Sequence, residues 1–346
     1  MRILILGASY GSLLSTKLLM AGHDATLVCR DATAALINSE GTQVRIKLRD
    51  EEEHRIINSS DQPGKVDAAT PENVTPADYD LVCLAMQEPQ YSAGAVKDLM
   101  GRIAAAKVPC LSIMNMPPKP YLARIESLKS VSLDDAYSDP SVWADFVPGL
   151  ISLCSPDPQA FRPPEEKANF LHVGLPTNFK AAVFADAAHN EMLRKLETDI
   201  IAVTLDGKDV PVKLRVFESL FVPMAKWSML VTGNYRCVTD GDMIAIRDAV
   251  HGDIDKSAAM YAWVDNLARS LGADAADQVP FDKYANAAKN LLKPSSVARA
   301  IDAGTAKVER VDKLVQMVGA SQGMQSDEVD AIVKTVDARL AANAAT

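Results

Sequence analysis

Residues 1–12, MRILILGASYGS, decide the fold of this chain. The apolar run 2–6 predicts a strand, the small residues of 7–12 predict a tight turn, and residues 13–21 have the spacing of a helix. A second apolar run at 25–29 predicts another strand. A turn that leads from a strand into a helix presents backbone N–H groups and the positive end of the helix dipole to an anion. The stretch therefore predicts a βαβ unit that holds the diphosphate of a dinucleotide.

The turn departs from the G-x-G-x-x-G/A pattern of dinucleotide-binding proteins at two positions. Ser9 and Ser12 stand where the pattern has its second and third small residues, usually glycines. Both side chains are small enough for close approach, the Ser9 hydroxyl can donate to phosphate, and Gly11 supplies flexibility. We predict that the whole turn binds the cofactor, namely Gly7, Ala8, Ser9, Tyr10, Gly11 and Ser12. The alternative is a βαβ unit that binds no nucleotide.

The end of the second predicted strand bears on the choice of cofactor. NAD enzymes usually place an acid there to bind the ribose 2′-hydroxyl. This chain has Arg30 instead, followed by Asp31. A guanidinium pairs well with a 2′-phosphate, so the sequence favours NADP(H). Two alternatives stay open: Asp31 facing the ribose of NAD, and Arg30 as an ordinary solvated arginine.

Composition narrows the class of protein. The chain has 346 residues, enough for two domains, and a net charge of -9, which argues against nucleic acid as a partner. We find no apolar run of membrane-spanning length and no signal peptide at the N-terminus. The five cysteines are dispersed without a CxxC pair, and the five histidines lack metal-ligand spacing. We therefore expect a cytoplasmic protein with reduced cysteines, no metal site and no membrane partner.

The first 208 residues continue an α/β alternation. Further strands are predicted at 44–48, 54–57, 79–86, 108–114, 149–154 and 169–174, and helices at 91–106 and 191–197. Segments rich in proline, aspartate and serine or glycine predict loops at 59–75, 134–148 and 155–166. We assign 1–208 to a dinucleotide-binding domain of Rossmann type with a parallel sheet.

From residue 213 onward the apolar spacing is helical. Helices are predicted at 214–231, which is apolar all round, and at 242–250, 256–271, 283–292, 298–318 and 326–342. We assign 209–346 to an all-helical domain for substrate binding and dimerisation, and expect a homodimer. The cleft between such domains is where a substrate would meet the cofactor.

Ligands of open parallel sheets bind at the carboxyl ends of the strands. Gln87 and Asn115 directly follow two buried predicted strands, so we place them near the nicotinamide half of the cofactor. Met86 and Cys154, at the ends of predicted strands, complete this set of predicted cofactor-binding residues.

At this point the chain resembles the ketopantoate reductase (2-dehydropantoate 2-reductase) family along nearly its whole length. The resemblance rests on the Gly7 turn, Arg30, the strand leading to Gln87 and Gln90, the strand ending at Asn115, strand-like runs near Gly149 and Leu171, and Pro294-Ser295-Ser296. It implies a Rossmann domain joined to a helical domain of the 6-phosphogluconate dehydrogenase type. It also implies reduction of a 2-keto acid by NADPH.

The resemblance assigns the remaining site residues. The family's catalytic lysine opens a helix and is followed by asparagines four and eight residues later. Lys226 matches with Leu230 and Asn234 at those positions, and we prefer this alignment. An alternative alignment anchored on Trp227 puts Met229 at the lysine position.

Two further roles follow from the same resemblance. Substrate binding is expected from Asn115, Asn234, Ser295 and Ser296. Glu309 is the acid nearest the family's late glutamate and is expected at the cofactor. The family has lysine where this chain has Gln87, and Asn-Gly where it has Asn115-Met116.

The proposed chemistry suits these residue types. Hydride delivery to a ketone builds negative charge on its oxygen, which a lysine ammonium stabilises and protonates. Burial would lower the pKa of such a lysine towards neutrality. The structural alternatives are a snorkelling Lys226, a helix-ending Asn234, and helix caps at Ser295 and Ser296. Asp312 is interpreted as part of a solvated helix face.

Three functions are compatible with the sequence. The first is an NADP(H)-dependent reductase that converts a 2-keto acid or related carbonyl to the 2-hydroxy compound. The second is an opine-type dehydrogenase that reduces an imine, with His251 and Asp253 or Asp255 as its candidate pair. The third is a non-catalytic NADP-binding sensor. The sequence does not identify the substrate.

Overall fold

The computed structural model describes Met1–Ala345, which form two compact units. The first unit comprises Met1–Met86, Gln90–Tyr121 and Val142–Glu218. The second comprises Gln87–Pro89, Leu122–Ser141 and the chain from Ser219 onward. The units therefore interleave in sequence, whereas the domains expected from the sequence are continuous.

The chain has fourteen strands in its described part. They are β1 (Arg2–Leu6), β2 (Asp24–Val28), β3 (Gln43–Lys47), β4 (His54–Asn58), β5 (Val66–Ala69), β6 (Leu81–Leu84), β7 (Cys110–Ile113), β8 (Ile151–Ser155), β9 (Gln159–Phe161), β10 (Phe170–Leu175), β11 (Phe179–Ala182), β12 (Thr204–Leu205), β13 (Lys208–Asp209) and β14 (Leu214–Phe217). All of them lie in the first unit.

The main sheet has eight strands in the order β14-β11-β8-β7-β6-β1-β2-β5. Six neighbouring strands run parallel to one another, namely β5, β2, β1, β6, β7 and β8. Strand β11 pairs antiparallel with β8, and β14 runs parallel to β11. Strands β6, β7 and β8 are buried along their whole length, as apolar strands covered on both faces should be. Consequently the carboxyl ends of β1, β6, β7 and β8 lie at the same end of the sheet as the amino ends of β11 and β14.

A smaller sheet has the order β4-β3-β10-β9. Residues 169–174 were predicted as a late strand of the first domain, and they form β10, which pairs with β3 in this smaller sheet. Burial alternates along β3, so one of its faces is buried and the other is partly exposed. Such a strand suits a sheet that is covered on one face only, as the smaller sheet is expected to be. Strand β5 was missed. It lies inside the predicted loop 59–75, and only Ala68 of its four residues is buried, so it leaves no apolar run.

The described part of the chain has twelve helices. They are α1 (Tyr10–Met20), α2 (Asp31–Glu40), α3 (Gly94–Ala106), α4 (Lys119–Leu122), α5 (Ala187–Ile201), α6 (Lys226–Met229), α7 (Ile246–His251), α8 (Ile254–Ser270), α9 (Phe281–Ala288), α10 (Ser296–Asp302), α11 (Val311–Ser321) and α12 (Asp327–Ala344). Helices α6 to α12 lie in the second unit. The predicted fold class, a Rossmann-type α/β region followed by a helical region, is confirmed.

The single helix predicted at 214–231 is wrong. Residues 214–217 form β14, which pairs in register with β11, and the chain becomes helical only from Val222. A short apolar run is compatible with a buried strand and a buried helix alike. The helix predicted at 298–318 is likewise two helices, α10 and α11, separated near Gly304, whose φ is +86°.

Among Met1–Ala345 there is no helix that combines the length and the apolar character needed to cross a membrane.

Candidate cofactor and substrate sites

The turn after β1 has a backbone that only glycine accommodates well. Gly7 has φ of +106°, and its N–H donates to the Val28 carbonyl over 2.9 Å. A Cβ at this position would lie 2.8 Å from the Ala85 oxygen and 2.7 Å from Cγ of Met86. The turn therefore passes directly against the chain that leaves β6, and Met86 lies against it.

The N-terminus of α1 is left open by its own side chains. Ser9 occupies the N-cap position and is exposed, but its side chain makes no capping hydrogen bond. The Ser12 hydroxyl instead donates to the Ala8 carbonyl over 2.5 Å. The first N–H groups of a helix generally have no partner within the helix and can bind an anion, although here the Ser12 N–H already donates to the Ser9 carbonyl over 3.2 Å. These residues fit the diphosphate of a dinucleotide.

Gly11 also allows close packing inside the unit, and its predicted role at the cofactor stays a prediction. A Cβ on Gly11 would lie 2.7 Å from Cγ2 of Ile5. The absence of a side chain thus lets α1 pack closely on β1 and supports the turn from behind.

Two arginines lie at the end of β2. Arg30 is exposed and directly precedes α2. Arg162, half-buried after β9, donates from Nη2 to the Ala8 carbonyl over 2.8 Å. Burial lowers the pKa of the Arg162 guanidinium, the neighbouring Cys29 opposes this, and the neighbouring Arg30 lowers it further. A pair of like charges beside the turn suits a ligand with an additional negative group.

Sequence reasoning missed Arg162. It belongs to the proline-rich segment 155–166, which was interpreted as a loop, and no motif surrounds it. Only the pairing of β9 with β10 in the smaller sheet brings it to the Gly7 turn.

Asn115, two residues after the end of β7, has a buried amide oxygen with no hydrogen-bond partner among the described residues. A buried polar atom without a partner is costly, and a bound ligand would relieve that cost. Cys154 is completely buried within β8, and Gln87 is exposed in the second unit.

In the second unit, Lys226 is half-buried and opens α6. The chain then widens into a π-helical turn at Leu230–Asn234. Such turns are rare in proteins as a whole, and many of those that occur lie at functional sites. The turn also interrupts the regular α-helical spacing between Lys226 and Asn234. Met229, the alternative lysine position, accepts a hydrogen bond from the Tyr284 hydroxyl at its carbonyl over 3.1 Å.

Ser295 is buried and caps α10. Its hydroxyl accepts from the Ala298 N–H over 3.2 Å and donates to the Asn234 carbonyl over 2.7 Å. The helix-cap interpretation therefore describes this residue, which also fastens α10 to the π-helical turn. Ser296 is exposed and Asn234 is half-buried. Their roles towards a substrate stay predictions.

Glu309 accepts a hydrogen bond from the Glu88 N–H at its carboxylate over 3.3 Å. Its carbonyl accepts from the Tyr235 hydroxyl. The interpretation of Asp312 as a solvated residue is wrong. Asp312 is completely buried, and both its oxygens accept from Arg310, at 3.0 and 2.9 Å.

The described residues contain no group of three or more histidine, cysteine, aspartate and glutamate side chains placed to hold a metal ion.

Comparison with known proteins agrees with this architecture. Residues 3–112 match the family model "Ketopantoate reductase PanE/ApbA". No curated protein matches the chain in sequence.

Several solved structures share the fold over almost the whole chain. A 2-dehydropantoate 2-reductase from Methylococcus capsulatus is 13% identical, with 98% of each chain covered and a TM-score of 0.69. D-Mandelate dehydrogenase in a ternary structure with NADH and anilino(oxo)acetate is 14% identical, with 99% of this chain and 100% of that chain covered and a TM-score of 0.66. A ketopantoate reductase from Staphylococcus aureus, described as dimeric, is 10% identical, with 99% of this chain and 100% of that chain covered and a TM-score of 0.64.

The predicted resemblance is confirmed: residues 3–112 carry the sequence pattern of the ketopantoate reductase family, and nearly the whole chain has the fold of ketopantoate reductase structures.

Proposed function

We propose that this protein is an NADP(H)-dependent oxidoreductase that reduces a 2-keto acid or a related small carbonyl compound to the 2-hydroxy compound. The observation that carries the proposal is the open, glycine-requiring turn at Gly7 with Arg30 and Arg162 beside it. The fold alone supports a nicotinamide dinucleotide, since one relative binds NADH. The two arginines favour the form of this dinucleotide that carries a 2′-phosphate, NADP(H).

Each predicted residue has a definite task in this proposal. N–H groups of the turn between Gly7 and Ser12 hold the diphosphate, and Arg30 and Arg162 pair with the 2′-phosphate. The bound nicotinamide supplies the hydride. Lys226 stabilises the developing charge on the carbonyl oxygen and donates the proton. Asn115, Asn234 and Ser296 are hydrogen-bonding candidates for the substrate.

The cofactor assignment is tested by titrating NADPH and NADH into the wild type, Arg30→Ala and Arg162→Ala. We expect the wild type to bind NADPH more tightly than NADH. Each substitution should weaken NADPH binding by roughly 1.5–3 kcal/mol, the usual loss of a hydrogen bond to a charged group. NADH binding should change much less with Arg30→Ala. Because Arg162 also holds the Ala8 carbonyl, Arg162→Ala should weaken NADH moderately.

The control is Arg299→Ala, which removes an exposed arginine from α10 in the second unit. Equal affinity of the wild type for both nucleotides, or the same loss in all three variants, would contradict the assignment to NADP(H).

We also propose a cytoplasmic homodimer, in line with the relative described as dimeric. Light scattering coupled to gel filtration measures the oligomeric state directly.

The opine-type alternative loses support from its candidate residues. His251 is hydrogen-bonded through Nε2 to the Ala285 carbonyl over 2.8 Å, and Asp253 caps α8 by accepting from the Lys256 N–H over 3.0 Å. Both side chains thus already have structural partners.

A further inference from the structure

A cavity of about 580 Å³ lies in the first unit, and none of its lining residues belongs to the predicted cofactor site. Its charged lining consists of Arg49, Asp157, Lys180, Asp209, Lys213 and Arg215. We call it the basic pocket. Four cations against two acids leave an excess of two positive charges in a chain whose net charge is -9. The volume is that of an ordinary small-molecule site.

Adjacent strands bring the cations together. Lys180 of β11 and Arg215 of β14 are register partners in a parallel pair, so their side chains lie next to each other on one face. Lys213 directly precedes β14 and lines the same pocket as Arg215. Like charges in neighbouring strands destabilise a sheet unless something compensates them.

The acids compensate only part of this charge. Asp157 pairs with Lys180 over 3.0 Å, and Asp209 pairs with Lys213 over 2.7 Å. Arg49 and Arg215 are exposed and have no carboxylate partner among the residues that the structure describes. Two guanidinium groups, each with a fork of donors, are thus left to an external anion.

Lys213 is a buried lysine that lines the pocket. Its side chain is only 9% exposed, and Nζ also donates to the Ile201 carbonyl over 3.0 Å. An ammonium group has three donors, so one remains for a ligand.

The backbone next to Lys213 is strained. Val212 is completely buried and has φ of +66°, a conformation that a β-branched residue rarely adopts. Its neighbours Pro211 and Lys213 both line the pocket. Backbone strain of this kind persists only where the surrounding structure enforces it, and it is concentrated at ligand and active sites.

We propose that the basic pocket is a second ligand site, and that it binds a small molecule carrying a phosphate group. Phosphate fits better than carboxylate because two guanidinium groups and one ammonium group can share the several oxygens of a phosphate. Thr177 and Asn178 line the same cavity and add uncharged hydrogen-bonding groups.

The test follows the backbone amide signals of Thr177, Asn178 and Lys213 by NMR during a titration with inorganic phosphate at constant ionic strength. We expect saturable shifts at these three amides. Arg49→Ala and Arg215→Ala should each weaken the binding about tenfold or more, as expected for a charge-assisted hydrogen bond. Both residues are exposed, so the variants should fold, and circular dichroism checks this.

Arg299→Ala serves as the control and should leave the binding constant unchanged. Equal weakening by Arg299→Ala, shifts that never saturate, or shifts confined to Gly7–Ser12 would overturn the proposal. Acetate at the same ionic strength should bind more weakly than phosphate, and equal affinity would overturn the assignment to phosphate. The outcome is independent of the proposed reductase activity.

Discussion

Lys17 is a lysine within the core of the first unit. It belongs to α1, is 1% exposed, and donates from Nζ to the Val210 carbonyl over 3.1 Å. Burial lowers the pKa of this ammonium to about 7, and the nearby Lys213 contributes to the lowering while Asp209 opposes it. The charge of Lys17 is therefore sensitive to pH in the folded protein near neutrality.

This property predicts a pH dependence of stability. Between about pH 7 and about pH 10 the unfolded chain keeps a proton on Lys17 that the folded protein has released. The free energy of unfolding therefore rises with pH over this window. Urea unfolding at about pH 7 and about pH 9.5 should show the wild type gaining stability relative to Lys17→Met at the higher pH.

The control for this measurement is Lys65→Met, which replaces an exposed lysine of the same unit. Its stability relative to the wild type should be the same at both pH values. A difference between wild type and Lys17→Met that does not change with pH would contradict the depressed pKa of Lys17.

Gly7 allows a second test at this scale. Gly7→Ala places a Cβ 2.8 Å from a backbone oxygen in addition to the strain of a positive φ. Gly22→Ala meets only the strain, because φ is +79° and nothing lies within 4 Å. Gly22→Ala should cost about 1–2 kcal/mol of stability, and Gly7→Ala distinctly more. Thermal unfolding measures both, and equal costs would contradict the close approach of Gly7 to the chain after β6.

Single residues also show where sequence reasoning fails. The turn at residues 7–12 was predicted because the order of its small residues along the chain is itself the motif, and its binding of a cofactor stays a prediction. Arg162 and Asp312 were not identified correctly, since the role of each depends on partners brought near by folding. Arg162 reaches the Ala8 carbonyl through the folding of the smaller sheet, and Asp312 is paired through the side chain of Arg310 folding back towards it.

At the scale of elements, a buried ion pair stabilises the start of α11. Arg310 precedes this helix, binds both oxygens of Asp312, and also reaches Asp337 in α12. Asp312→Ala leaves the buried guanidinium with only its partly exposed partner and should cost about 3–5 kcal/mol. Asp337 is 45% exposed, so Asp337→Ala should cost only about 0–1 kcal/mol.

Urea unfolding of the two variants gives both values. Equal losses would mean that the pairing of Arg310 with Asp312 is not what holds α11.

Elements whose apolar pattern is long or strictly periodic were predicted well. β1, α1 and β2 lie within one or two residues of their predicted bounds, apart from the beginning of α1. Short strands at or next to the edges of the main sheet were not predicted, namely β5, β11 and β14. A strand of four residues is too short to produce a clear periodic signal, and its pairing comes from the neighbouring strands.

At the scale of the whole molecule, the alternation of strands and helices followed by helices alone predicted the fold class. It did not predict that 87–89 and 122–141 belong to the second unit, because contacts rather than sequence order define a unit. Nor did it reveal the basic pocket, whose charged residues are scattered over segments from Arg49 to Arg215.

The central claim is hydride transfer from NADPH to a 2-keto acid with Lys226 as proton donor. The most direct test uses NADPH deuterated at the transferred position, a panel of 2-keto acids, and mass spectrometry of the products. We predict one deuterium at C2 of a 2-hydroxy acid without any amine present. Lys226→Ala should lower turnover by about 10² to 10⁴ while NADPH binding stays nearly unchanged. Deuterium transfer only with an added amino acid would identify an opine-type dehydrogenase, and NADPH binding without transfer to any acceptor would contradict the reductase and favour a sensor.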